Sequence, residues 1–394
     1  MTNQNSMLSK EKKKFKLKHF INYILILALL IPFAISGLSG TVKGSTSMLL
    51  TQIAYSMILA VSLNLVVGFL GELSLGHAGF MCVGAYLGGF FANLFHTMGL
   101  PKTLVLILAM IVGGLMAAIF GFVIGLPTLR LKGDYLAIVT LAFGEIVRTV
   151  FMNMDQFGGA MGLSTKTYGK TLYIIALIMV LVTVFVSQNL MRSKHGRAIQ
   201  AIRDNEIAAR AMGVNVTYYK LVVFVIAAFF AGIAGVIYAH NTSLVSYGFF
   251  SYNYSIEILV MVVLGGMGNI TGSLIAATLL TYINFTLTDK LSGDLAALKF
   301  LIYALILILM VMWNNAPKLA KWRNRFNLGN FVIWIKKNVF RLTHKTPEGG
   351  EEPPTNAAWD KIPTKIPMDA ILSTDITPDN SFEADKPEKG GDKK

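Results

Sequence analysis

The feature that most constrains this chain is the recurrence of apolar segments long enough to cross a bilayer. A hydrocarbon layer asks for about 20 mostly apolar residues per helix. Ten segments meet or approach that length: 20–37, 48–69, 74–95, 103–124, 135–152, 171–189, 221–239, 254–264, 270–287 and 298–313. In lipid, backbone polar groups must be satisfied internally, which segments of this length achieve as helices. The expected fold is therefore all-α, a polytopic membrane protein with about ten transmembrane helices. Segment 254–264 is the shortest, and it either crosses or ends as a broken helix at Gly265-Gly266-Met267-Gly268. Only 14% of the residues are charged, against about 25% in soluble domains.

Charge sets the orientation. The net charge of +14 does not mark a nucleic-acid surface, because the basic residues gather at span ends, where they fix topology. With the N-terminus inside, inner loops hold 22 Lys/Arg and outer loops 6. That parity leaves both termini cytoplasmic in a multi-pass membrane protein. The basic run up to Lys18 and the apolar run Ile21–Ser36 imitate a signal peptide. No small-x-small cleavage pattern follows, so the first helix is expected to be retained. The one cysteine, Cys82, sits in an apolar segment without a His/Cys cluster, and it reads as a small buried residue with no metal.

One long polar island interrupts the apolar core. Arg192 to Lys220 carries six Lys/Arg and is flanked by spans on both sides, which places it in the cytoplasm. Ala198, Ile199, Ile202, Glu206, Ala209 and Met212 fall at helical spacing, and Gly213 offers a stop, so one amphipathic helix is expected. A second unusual stretch is 62–89, SLNLVVGFLGELSLGHAGFMCVGAYLGG. Its pairs Gly84/Gly88 and Ala85/Gly89, like Gly121/Gly125, Ala228/Gly232 and Ala231/Gly235, make small-residue faces that let helices approach closely. Around Gly68, Gly71, Ser74 and Gly76 the chain can break, leaving backbone groups free to line a cavity.

These stretches carry a resemblance. Glu206-Ile207-Ala208-Ala209 with Gly213 resembles the E-A-A-x-x-x-G coupling loop of ABC-importer membrane subunits. Ser62–Gly89 resembles the S-L-G-H-A-x-F signature of branched-chain amino acid importer permeases. The run Leu126–Leu141, Phe143-Gly144-Glu145-Ile146, Ser193–Lys220, Ser255-Ile256-Glu257 and Gly265–Gly268 come in the family's order. Together they are similar to the LivM-type subunit over roughly residues 45–317, and the L-R-L-x-G-D-Y-L-A run favours LivM over its LivH-type sister. Two positions depart. Phe157-Gly158-Gly159 stands where the family has Thr-Gly-Gly, and Asn315-Ala316-Pro317-Lys318 where it has Arg-Pro-x-Gly. If that threonine contacts substrate in relatives, Phe157 bears on the identity of the cargo.

The resemblance implies a permease subunit of an ATP-driven importer for leucine, isoleucine and valine. Expected partners are a LivH-type subunit in a heterodimer, two cytoplasmic ABC ATPases that use ATP and Mg, and an extracytoplasmic binding protein. The chain itself would bind no cofactor and would not be an enzyme. Coupling to the ATPases falls to Arg203, Asp204, Glu206, Ala208, Ala209 and Gly213, with Glu206 offering a charge to a basic partner. Candidate pathway or gating residues are Asn64, Gly71, Ser74, Gly76, His77, Glu145, Gly159 and Glu257.

The intramembrane polar residues each have two readings. Ionisable groups in spans are costly and face the protein interior or a wet cavity. Glu145 and Arg148, three apart, either pair structurally or line the outer mouth. Glu257 is either a helix-start carboxylate or part of that mouth. His77 and Asn64 are either hydrogen-bonded packing residues or contacts to the cargo. The chain has no G-x-x-x-x-G-K-[ST], no H-E-x-x-H and no G-x-S-x-G, so the energy must come from a partner. The domain plan is a basic N-terminus (1–19), a permease domain (20–317) with the coupling loop at 191–220, a basic interfacial segment (318–345) and a disordered tail (346–394). The alternatives are a related importer for urea, amides or sugars, and a secondary transporter that works alone. The latter finds no repeated pair of membrane carboxylates in the sequence.

Overall fold

The computed structural model describes residues 44–128, 131, 133–169, 171–290, 304, 305 and 308. The expected first span, almost all of the tenth, the 318–345 segment and the tail lie outside the described residues. The helices are α1 Gly44–Asn64, α2 His77–Thr97, α3 Lys102–Thr128, α4 Asp134–Asn153, α5 Leu172–Arg192, α6 Lys194–Asp204, α7 Glu206–Ala211, α8 Val216–Asn241, α9 Tyr252–Gly265 and α10 Ile270–Lys290. Among the described residues, seven helices are long and apolar enough to cross a membrane.

α1 is the axis of the bundle. It packs against α5, α8, α9 and α10, and 94% of its apolar window is buried. Its sequence is apolar all round, which suits a helix enclosed on every side. α4 is the opposite case, with a third of its window buried and Tyr135, Ile138, Ile146 and Val150 exposed.

A seam of glycines brings α2, α3 and α8 into backbone contact. A Cβ on Gly84 would stand 2.2 Å from Gly232 O, one on Gly235 would stand 2.1 Å from Met81 O, and one on Gly232 would stand 2.6 Å from Gly113 O. The small-residue faces read from the sequence are thus packing surfaces, and their packing replaces a hydrophobic drive that lipid cannot supply.

The short 254–264 segment is α9, a 14-residue helix. At 1.5 Å per residue it is about 21 Å long, short of a hydrocarbon layer of about 30 Å. Gly266 (φ +90°) and Gly268 (φ +80°) turn the chain into α10. At the end of the bundle away from α6 and α7, Leu163–Ser164 (β1) pairs antiparallel with Leu244–Val245 (β2). This ladder ties the α4–α5 connection to the α8–α9 connection.

The expected single amphipathic helix is two helices. α6 ends at Asp204, and Asn205 leaves the helical region at φ −157° to cap α7 by accepting from Ala208 N–H at 3.0 Å. An asparagine side chain satisfies an orphan N–H at such a start, which makes the break favourable. The continuation from Val216 is already the apolar helix α8, so Lys220 belongs to a span and not to the polar island.

Candidate functional site

The sequence residues gather at two chain breaks beneath the polar island. The first break begins where α1 changes winding, with Leu65–Leu70 forming a π-turn. Gly71 ends it at φ +82°, donating its N–H to Val66 O, in a left-handed conformation that glycine adopts without steric cost. The chain then folds back along α1. His77, which opens α2, is buried with Nε2 2.8 Å from Ser62 Oγ. Leu75 N–H donates to Thr140 Oγ1 at 3.0 Å and Ala78 N–H to Ser255 Oγ at 3.1 Å, so α4 and α9 hold the break between them. Gly76 lies so close to α4 that a Cβ would stand 2.6 Å from Thr140 O. Ser74 Oγ is buried in the same segment without a hydrogen-bond partner.

The second break is the turn between α9 and α10, and Asn64 joins it to the first. Its Oδ1 accepts from Gly268 N–H at 2.8 Å, and its Nδ2 donates to Ser273 Oγ at 3.0 Å. Gly68 faces this bridge at a distance that leaves no room for a side chain, since a Cβ would meet Asn64 Oδ1 at 1.8 Å. Both Asn64 and His77 are thus hydrogen-bonded within the chain in this conformation.

The island is fastened to the first break. Arg203, near the end of α6, donates from Nη1 to Gly68 O at 2.8 Å. Its stem lies over Gly71, where a Cβ would be 3.0 Å from Arg203 Cγ. Glu206 opens α7, and both of its oxygens are engaged. Oε1 pairs with Arg210 at 2.9 Å and Oε2 with Lys220 Nζ at 3.3 Å. Lys220 Nζ also pairs with Glu72 in the first break, and only 3% of the lysine side chain is exposed. Glu206, expected to offer its charge to a basic partner, is ion-paired within the chain in this structure.

The outward surface of the island differs from the single-helix reading. Ile199, Ile202 and Ala209 are buried against the core. Ala208 is exposed, and Met212 is 84% and Ile207 78% exposed. The break at Asn205 resets the helical phase, which turns Met212 outward while Ala209 stays inward. Gly213 (φ +82°) comes next with open space around it, and Asp204 is exposed. Ile207 was the one signal available in the sequence, an isoleucine off the apolar face of the presumed helix.

The remaining candidates lie away from this cluster. Glu145 pairs with Arg148 at 2.7 Å, and its Oε1 accepts from Tyr252 N–H at 2.9 Å. Together with Ile146, Thr149, Val150, Asn153 and Met154 it lines a shallow, open hollow on the surface of α4. Gly159 (φ +55°) lies in the turn after α4, its N–H bonded to Met154 O. Glu257 accepts from Asn284 Nδ2 at 3.0 Å, joining α9 to α10. A carboxylate and an amide on one helix face are expensive against lipid, so this face of α4 belongs against protein or water.

Phe157 does not face the hollow. It is buried, 5.1 Å from the Phe151 ring and 5.3 Å from the Phe90 ring, and Tyr86 stacks on Phe151 beside it. Phe157→Thr is expected to cost about 3 kcal/mol through the lost burial and the cavity left behind. A lowered melting temperature in detergent with substrate preference unchanged checks this; a changed preference at unchanged stability would contradict it.

Comparison with known proteins gives a consistent set. A sequence profile described as branched-chain amino acid transport system / permease component matches residues 45–311. The high-affinity branched-chain amino acid transport system permease protein LivM of Escherichia coli K12 is 37% identical, over 80% of this chain and 78% of its own length. The probable LivM permease of Methanocaldococcus jannaschii is 29% identical over 66% of this chain and 76% of its own. The ribose import permease RbsC of Escherichia coli K12 is 28% identical over 45% of this chain and 56% of its own.

Proposed function

The chain belongs to the permease-component family of branched-chain amino acid transport systems, and from that premise we propose that it is a membrane-spanning subunit of an importer for leucine, isoleucine and valine. It lies in the bacterial cytoplasmic membrane as a multi-pass helical protein. Its partners in this reading are a LivH-type permease subunit, two ABC ATPases that bind ATP and Mg, and an extracytoplasmic binding protein. The chain contributes no catalytic group of its own.

The observation that carries the reading is the island. α7 and its C-cap present Ile207, Ala208 and Met212 to solvent, yet Arg203, and Glu206 through Lys220, tie the island to the break at the end of α1. An exposed apolar patch rimmed by charge suits a protein partner, and its rigid attachment suits the transmission of force. ATP-driven closure of the ATPases would push on α7, and rocking of the bundle would expose the pathway to the far side. The exposed face of α4, with its Glu145 hollow, suits the second permease subunit and the pathway between the two.

The direct test is uptake. The complex with its partner subunits, reconstituted in proteoliposomes, should import L-leucine only when both ATP and the binding protein are present. Import of ribose or urea in preference to L-leucine would overturn the cargo, and L-leucine import without ATPases would overturn the class. The partial likeness to a ribose permease makes ribose the comparison to include.

A further inference from the structure

We propose that Lys220 is a positioning residue that transmits movement of the α6–α7 island to the break at residues 68–72. The inference rests on the island being the ATPase-docking element. Two independent ties converge on one five-residue stretch. Arg203 of α6 holds its start through Gly68 O. Glu206 of α7 holds its end through Lys220, which is shared with Glu72. Arg203 reaches 135 residues back to Gly68 and Lys220 reaches 148 residues back to Glu72, while the Glu206–Lys220 leg that joins the island to this path spans 14.

The chemistry at Lys220 is that of a link. Its ammonium is almost fully buried, and a charge in that position is tolerated only when it is paired. One carboxylate partner belongs to the docking element and the other to the break. Without the lysine, Glu72 and Glu206, which are 13% and 19% exposed, would face each other and repel. Arg210 takes only the outer oxygen of Glu206 and leaves the inner one to Lys220. The order Arg210–Glu206–Lys220–Glu72 therefore runs from the solvent surface to the end of the axial helix. From there Asn64 carries the connection to Gly268 and the second break.

A serial link makes a particular prediction. Glu206→Gln cuts the arm to the island, and Glu72→Gln cuts the arm to the break. Both substitutions keep the side-chain shape. In proteoliposomes holding the full importer, each is expected to raise the ATP hydrolysed per L-leucine imported by about tenfold, the scale of a coupling-network substitution. The double variant is expected to be no worse than either single one, because a link cut twice is still one cut. Lys220→Met should match them, and Lys220→Arg should stay within about twofold of the parent, as a cation that reaches both carboxylates.

Hydrolysis and import falling in proportion, with the ratio unchanged, would overturn the proposal and leave an ordinary structural ion pair. So would additive losses in the double variant. Should Lys220→Met fail to accumulate, the two glutamine variants decide the matter. Failure of the docking reading shows separately: Ala208→Trp would then leave ATPase co-purification intact. An unchanged ratio beside a docking-sensitive Ala208→Trp sinks the link alone.

Discussion

Gly84→Val is expected to leave no monodisperse folded protein after detergent extraction, whereas Gly248→Ala is expected to behave as the parent. The Cβ of any residue at 84 would lie 2.2 Å from Gly232 O and 2.4 Å from Gly232 Cα. Both are backbone atoms of α8, so the neighbour cannot give way by changing rotamer. Relief requires α2 and α8 to separate, which would strip the packing around Met81, Gly235 and Gly113 as well. Overpacking a core costs about 1–3 kcal/mol where side chains can adjust, and this seam adds the loss of helix association to that figure. Gly248 has only Ser246 Oγ at 3.7 Å from its notional Cβ, an ordinary contact. Size-exclusion profiles of the two variants check the contrast, and a folded Gly84→Val protein would show that the seam is looser than described.

Ala208→Trp is expected to abolish leucine uptake and ATPase association while leaving membrane insertion and melting temperature unchanged. Ala208 is exposed, and its backbone N–H already rests on Asn205 Oδ1. An indole there meets solvent in the isolated chain, so the fold has no reason to suffer. In a docked complex it stands where a partner surface must approach. Loss of a central interface contact of this kind reaches about 3 kcal/mol, or more than about a hundredfold in affinity. Gly213→Leu supports the same conclusion by another route. Nothing lies within 4 Å of its notional Cβ, so leucine costs the fold only the left-handed backbone conformation, about 1–2 kcal/mol. Co-purification and uptake measured side by side read both variants. Normal uptake in both would remove the island's role as the docking element.

The spans were legible because hydropathy responds to the solvent on the outside of a helix, and residues 103–124 or 135–152 differ from α3 and α4 only by frayed ends. The glycine faces were legible for the same reason: spacing along one helix is visible in one sequence. What the sequence obscured was any relation between distant segments. Nothing about Lys220 distinguishes it from a loop lysine until Glu72 is placed beside it. The island differed for another reason. Periodicity ran through Asn205, whose capping preference outweighed continuation of the helix, and the reset in phase left Ala209 buried but turned Met212 outward. The packing of Phe157, like that of Lys220, was hidden because its aromatic neighbours Tyr86, Phe90 and Phe151 come from two other helices.

The π-turn at Leu65–Leu70 gives the axial helix an adjustable end. A π-turn holds one residue more per turn than an α-helix needs, which amounts to stored chain length. Rewinding those six residues as α-helix would hand one residue onward, turning the chain beyond Leu70 by about 100° and shifting it by about 1.5 Å. Gly71 and Glu72, which both hydrogen-bond to Val66 O, would rotate away from that carbonyl as on a ratchet. A helix anchored in the middle of a bundle cannot slide without disturbing every neighbour, but it can wind or unwind at its tip.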